Sequence, residues 1–102
     1  MADKPISVGL LDDFIDVICE ESKIDNTEEI YKLLNTLVKR GLIPTSRLRN
    51  HMIVTEYYNQ DDNKRNFCIA NEERYGISEN RIYHIINNHI TNILNKRYVK
   101  NE

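Results

Sequence analysis

The chain has 102 residues, enough for one small domain, and its 40% hydrophobic and 29% charged content belongs to a globular protein rather than a disordered one. Three Gly and 2 Pro are too few for a turn-rich all-β chain, and no apolar run approaches the ~20 residues that a membrane span needs. The net charge of -2 is unevenly divided: residues 1–38 carry 3 basic and 9 acidic side chains, a balance of -6, while residues 39–102 carry 11 and 7, a balance of +4. Such asymmetry suits a chain that brings one half to phosphates and keeps the other away.

Residues 1–8, with Pro5 and little periodicity, read as a flexible arm, and residues 9–102 as a single helical domain. Met1 to Lys4 is not followed by an apolar run, so no signal peptide is expected and the setting is cytoplasmic. From Gly9 to about Lys23, Leu10, Leu11, Phe14, Ile15, Ile18 and Cys19 make one apolar stripe of an amphipathic helix, with its carboxylates on a solvated face. Asn26 offers the next N-cap, with Glu29 three residues on in a capping-box pattern. Ile30, Leu33, Leu34, Leu37 and Val38 carry the second stripe, which stops at Lys39-Arg40-Gly41. Residues 9–41 therefore read as a helical hairpin. Its apolar positions exceed what its own seam needs, so it is also the expected homodimer surface.

Thr45, after Pro44, is the expected N-cap of a third helix running through Leu48, Met52, Ile53 and Tyr57 to about Tyr58. A polar loop follows, then a fourth helix over about Lys64 to Tyr75 with Phe67, Cys68 and Tyr75 inside. Gly76 can take positive φ and end that helix, Ile77 plugs the turn, and Ser78 caps a fifth helix that continues to about Val99. On this last helix Ile82, Ile85, Ile86, His89 and Ile93 share one face. The opposite face carries Asn80, His84, Asn87 and Thr91, flanked by Arg81 and Asn88, with no carboxylate and many donors suited to base edges. Cys19 and Cys68 sit within apolar patterns and read as buried reduced thiols. The fold expected is all-α, five helices, with the C-terminal turn and its helices within residues 45–99.

The segment 66–86 resembles the helix-turn-helix of bacterial and phage transcription regulators, most closely from Tyr75 to Ile86, where aromatic-Gly-Ile-Ser-x-x-x-Ile-Tyr-x-Ile-Ile follows the family's turn and recognition helix. A helical N-terminal region before a C-terminal motif is also similar to the layout of the Mor-type phage activators. The resemblance implies a dimer whose second motif helix enters the major groove. One position departs from it: four residues before the turn glycine, where the family commonly has a small residue, this chain has Glu72. That departure implies a first motif helix that is rotated or lengthened.

Roles follow from the placement of the motif. Ser78 and the first backbone N–H groups of the last helix would hold a phosphate. Asn80, Arg81 and His84 would read bases, with Asn87 next, and Tyr83, Lys64 and Arg65 would contact phosphates. Arg47, Arg49 and His51 form a second basic group, read as exposed side chains, and the tail Lys96 to Lys100 suits a helix C-terminus for structural reasons alone. His84 and His89 are five residues apart and neither cysteine has ligands at zinc-site spacing, so no metal is expected, and His89 reads as partly buried. No nucleophile with a base and no phosphate-cradling glycine loop is present, so no enzyme, cofactor or small-molecule ligand is expected. The function expected is sequence-specific binding of double-stranded DNA by a small prokaryotic or phage regulator acting as a dimer. The alternatives are a helical protein–protein interaction module, or a phage packaging or replication accessory protein.

Overall fold

The computed structural model describes residues 6–100, with side chains described as far as Thr91. Residues 1–5 of the arm, the side chain of Ile93 and the basic tail from Lys96 lie outside the described side chains. Six helices and no strand are present among the described residues: α1 (Val8–Ser22), α2 (Glu28–Lys39), α3 (Thr45–Tyr58), α4 (Lys64–Ala70), α5 (Glu72–Tyr75) and α6 (Glu79–Lys100). The count is six rather than five because the expected helix from Lys64 to Tyr75 breaks at Asn71. That residue has φ -118° and ψ 12°, and its side-chain amide donates to the Phe67 carbonyl at 2.8 Å. An asparagine that bonds the preceding turn in this way competes with the helical ladder.

The helix starts are set by local side-chain chemistry, and three differ from expectation. Ser7 caps α1, its Oγ accepting from the Leu10 N–H at 3.0 Å, and Ile6 packs on the core, so the arm is already ordered at residues 6–8. Thr27, not Asn26, caps α2 by accepting from the Ile30 N–H at 3.3 Å. Asn26 instead donates to Asp16 Oδ1 at 2.6 Å, and the Tyr31 hydroxyl donates to Asp12 Oδ1 at 2.6 Å. The acidic face of α1 is therefore not merely solvated, since Asp12 fastens α2 to it and Asp16 the loop before α2. The third difference is at α3, where Thr45 is the first helical residue and Pro44 the cap. Pro44 supplies no side-chain hydrogen bond, only a carbonyl that accepts from the Arg47 and Leu48 N–H groups.

One buried cluster joins α1 (Leu10, Phe14, Ile15), α3 (Leu48, Met52, Ile53), α4 (Phe67, Cys68), Tyr75, and α6 (Ile82, Ile86). Both cysteines are free and buried within it. α6 packs chiefly against α3 and α4, while α2 contributes only Val38 to the buried set.

Across this cluster runs a polar network centred on Tyr75, whose ring is fully buried. Its hydroxyl donates to Glu56 Oε1, and its carbonyl accepts from Arg49 Nε at 2.7 Å. Arg74 grips the same Glu56 carboxylate with two bonds of 2.8 and 2.6 Å and reaches Asp13 Oδ2 on α1 at 2.7 Å. Arg49, expected to be exposed, is 4% exposed, and burial lowers its pKa. It lies one turn before Met52 and Ile53, on the inward face, where its guanidinium finds the carbonyl that the turn leaves open.

Burial, and then the bond to Glu56, raise the Tyr75 pKa well above its ordinary 10.0. A proton held more tightly in the folded state contributes stability that is complete below pH 10.0 and lost as pH rises through the folded value. Tyr75→Phe is expected to cost about 1 kcal/mol at neutral pH. In urea unfolding followed from neutral to alkaline pH, its stability should fall less steeply than the parent's. A residual alkaline loss is expected from Tyr31, whose pKa the Asp12 hydrogen bond also raises.

Candidate nucleic-acid interface

The turn before α6 is built from three successive residues. Gly76 takes φ 71°, and its N–H closes α5 on the Glu72 carbonyl at 2.9 Å. Ile77 is buried beneath it, and Ser78 leads into α6, its Oγ 3.4 Å from the Arg81 N–H and its carbonyl accepting from the Ile82 N–H. The first free N–H of α6, on Glu79, is already taken. Glu72 Oε2 accepts it at 2.8 Å. A carboxylate at a helix N-terminus is favoured by the helix dipole and by charge-assisted hydrogen bonding. The anion expected here from DNA is thus supplied by the chain itself, and the phosphate role expected of Ser78 with these N–H groups loses the Glu79 donor. Nor is the first motif helix lengthened through Glu72, because it ends at Ala70 and resumes as the single turn of α5.

Beyond that first turn, α6 divides as its periodicity requires. Ile82 and Ile86 are fully buried and Ile85 half-buried, while Asn80, Arg81, His84, Asn88 and Thr91 form an exposed ridge. From Asn80 to Thr91 the helix carries no carboxylate.

Each flank of the ridge has its own company. On one side, Lys64 at the start of α4 donates to Asn87 Oδ1 at 2.7 Å and sits 5.1 Å from the centre of the Tyr83 ring. Three side chains expected at the site, Lys64, Tyr83 and Asn87, are therefore brought together. Asn87 is half-buried and orients the lysine rather than standing out as a reader, while Tyr83 remains 42% exposed and Arg65 is exposed beside Lys64. Lys64 heads a helix capped by Asn63, whose Oδ1 accepts from the Asn66 N–H at 2.8 Å, so the backbone that carries it is fixed.

On the other side an open groove of about 770 Å³ separates α6 from the N-terminal half of α3. Ser46, Arg47 and Asn50 line one wall and Asn88 and His89 the other, with Phe14 and Ile18 of α1 also exposed to it. Of the second basic group only Arg47 remains as a free-standing cation of this wall, without an ion pair among the described residues. Arg49 points into the core, and His51 Nε2 lies 2.9 Å from Glu21 Oε1 with its ring edge-on to Phe14. His89 is half-buried beside Tyr58, the ring centres 6.1 Å apart. Among the described residues no helix is long and apolar enough to cross a membrane, and no group of three His, Cys, Asp or Glu side chains is placed to hold a metal ion.

Comparison of the chain with family models, with curated proteins and with solved structures gave no match. The reading of the site rests on its own residues.

The Glu72 contact generates a stability test. Glu72→Ala removes the acceptor at the α6 N-terminus and is expected to cost ~0.5–2 kcal/mol, the range for a lost helix cap. Glu72→Gln, which keeps a carbonyl oxygen but no charge, should lose less. Urea unfolding of the three proteins measures the order, and an alanine variant as stable as the parent would show that the contact contributes nothing.

Proposed function

We propose that the chain binds double-stranded DNA in a sequence-dependent manner, with α4, α5, the Gly76 turn and α6 acting as a helix-turn-helix and α6 as the helix that enters the major groove. The observation that carries this is the ridge from Asn80 to Thr91, free of carboxylates and bordered on each flank by a cation, Lys64 on one and Arg47 on the other. A major groove admits one helix, with a phosphate strand on each side of it. In this reading Asn80, Arg81 and His84 contact base edges, arginine favouring guanine and asparagine adenine. Lys64, Arg65, Tyr83 and Arg47 contact phosphates and set the register without reading sequence.

The carboxylates of Glu72 and Glu79 at the start of α6 disfavour a phosphate at that end. The strands are met instead by the flanking side chains. Residues 1–38, at -6, weaken the attraction on the groove side, where α1 lines the groove and Glu21 meets His51, so the Lys64 flank draws the phosphates more strongly. The role that fits is a small prokaryotic or phage regulator working as a dimer.

Anisotropy of a labelled generic duplex, titrated over a series of salt concentrations, tests the reading. The apparent binding constant should fall as salt rises, and Lys64→Ala should reduce the slope of the log–log plot by about one. Against a sequence selected from a random pool, Arg81→Ala should lose ~1–3 kcal/mol of affinity. A folded chain with no salt-dependent affinity for duplex would instead identify a protein-interaction module.

A further inference from the structure

We infer that two copies of the chain pair through α2, antiparallel, about a two-fold axis near Leu33. α2 carries Ile30, Leu33, Leu34 and Leu37 at i, i+3, i+4 and i+7, a spacing that places them along one side of a helix. Of the whole helix only Val38 is buried. Ile30 and Leu34 are half-buried along the edge of the core cluster, Leu37 is half-buried, and Leu33, midway along, is 55% exposed. The long stripe of α1 is used otherwise: Leu10, Leu11, Phe14, Ile15 and Cys19 are all consumed within the monomer core, and its one strongly exposed apolar side chain, Val8, stands at the helix start. Along the middle of the hairpin's two helices, the exposed apolar position is Leu33 of α2.

The charges at the ends of α2 identify a second copy as the occupant. Glu28 and Glu29 stand in its first turn, and Lys39 and Arg40 at its end. Laid antiparallel on a copy of itself, each acidic end meets a basic end, and the two helix dipoles oppose. The same register sets Ile30 of one copy opposite Leu37 of the other, with Leu33 beside its counterpart at the axis. Glu28 already pairs with Lys32 at 3.1 Å, which leaves Glu29 to face Arg40 of the second copy. The apolar surface also runs past both ends of the helix: Ile24 before it is 52% exposed and Leu42 after it 69%. Antiparallel pairing brings the end carrying Ile24 against the end carrying Leu42. A parallel arrangement would instead set glutamate on glutamate and arginine on arginine.

One patch meeting itself gives a closed, isologous dimer. A seam of twelve residues is ~18 Å long, a short interface, so association is sought over a micromolar concentration range. The pairing does not rest on the DNA reading, although it would supply two reading helices in one particle.

Sedimentation equilibrium of the full chain without DNA, from low to high micromolar concentration, tests it. The expected result is a reversible exchange between the 12.1 kDa chain and twice that mass. Leu33→Asp, at a half-exposed position that the core does not use, should keep the helical circular dichroism and weaken association at least about tenfold. Glu29→Arg and Arg40→Glu should each pair with themselves more weakly than the parent does, and an equimolar mixture of the two should recover the parent's association. A 12.1 kDa species at every concentration overturns the proposal, as does association that Leu33→Asp leaves unchanged. Charge variants that self-associate as well as the parent overturn the antiparallel arrangement. A strictly monomeric chain with salt-dependent duplex affinity would overturn the pairing and leave the DNA reading standing.

Discussion

The carboxylate of Glu56 is the point on which the arrangement of this chain depends. It accepts the Tyr75 hydroxyl and Nε and Nη2 of Arg74, and the same Nη2 continues to Asp13, so one side chain of α3 fixes α5 and links it to α1. Arg49 completes the hold by taking the Tyr75 carbonyl. With Tyr75 pinned by its ring, its hydroxyl and its carbonyl, the next residue, Gly76, has one way to turn, and the direction of α6 follows. A buried or half-buried charge is stabilising only when its hydrogen-bonding capacity is met: Arg74 answers Glu56 and Asp13, and Arg49 is met by a backbone carbonyl. The carboxylate-free ridge of α6 is thus oriented by residues that are not part of it.

Much of the helical content is legible in the residues, because it comes from periodicity. The stripes of Leu10 to Cys19 and of Ile82 to Ile86 lie where the 3.6-residue repeat puts them, and Gly76 takes the left-handed conformation that its place after Tyr75 requires. The failures fall where a polar side chain had several possible partners. Asn26, Thr27, Thr45 and Asn71 are all competent caps or breakers, and tertiary neighbours such as Asp16 decide which of them acts. Arg49 was hidden for a similar reason: a long cationic side chain beside Leu48 reads as surface unless the open carbonyl 26 residues away is known. The site was half legible. The face of α6 followed from spacing, but the bond that draws Asn87 toward Lys64, and the partners that take Arg49 and His51, are products of packing.

Glu72 shows how a departure from a motif acquires a physical purpose. A small residue at that place would let two helices touch. The glutamate instead sends its carboxylate to the Glu79 N–H, closing the gap between α5 and α6 with a charge-assisted hydrogen bond. The clasp places a carboxylate at the start of α6, while Lys64 stands farther along the helix beside Tyr83 and Asn87.

The break at Asn71 leaves α4 with seven residues and α5 with four, lengths at which a helix has no independent stability in water. Their order is borrowed from Phe67, Cys68 and Tyr75 in the core and from the Glu56 and Asp13 carboxylates. Amide protons between Asn63 and Ser78 will therefore exchange together, in openings that release the whole segment rather than fray it residue by residue. Such an opening separates Lys64 from Asn87 and uncovers the part of the core that α1 and α3 share with Phe67 and Tyr75. The ridge is presented by a segment whose shape is held from outside itself.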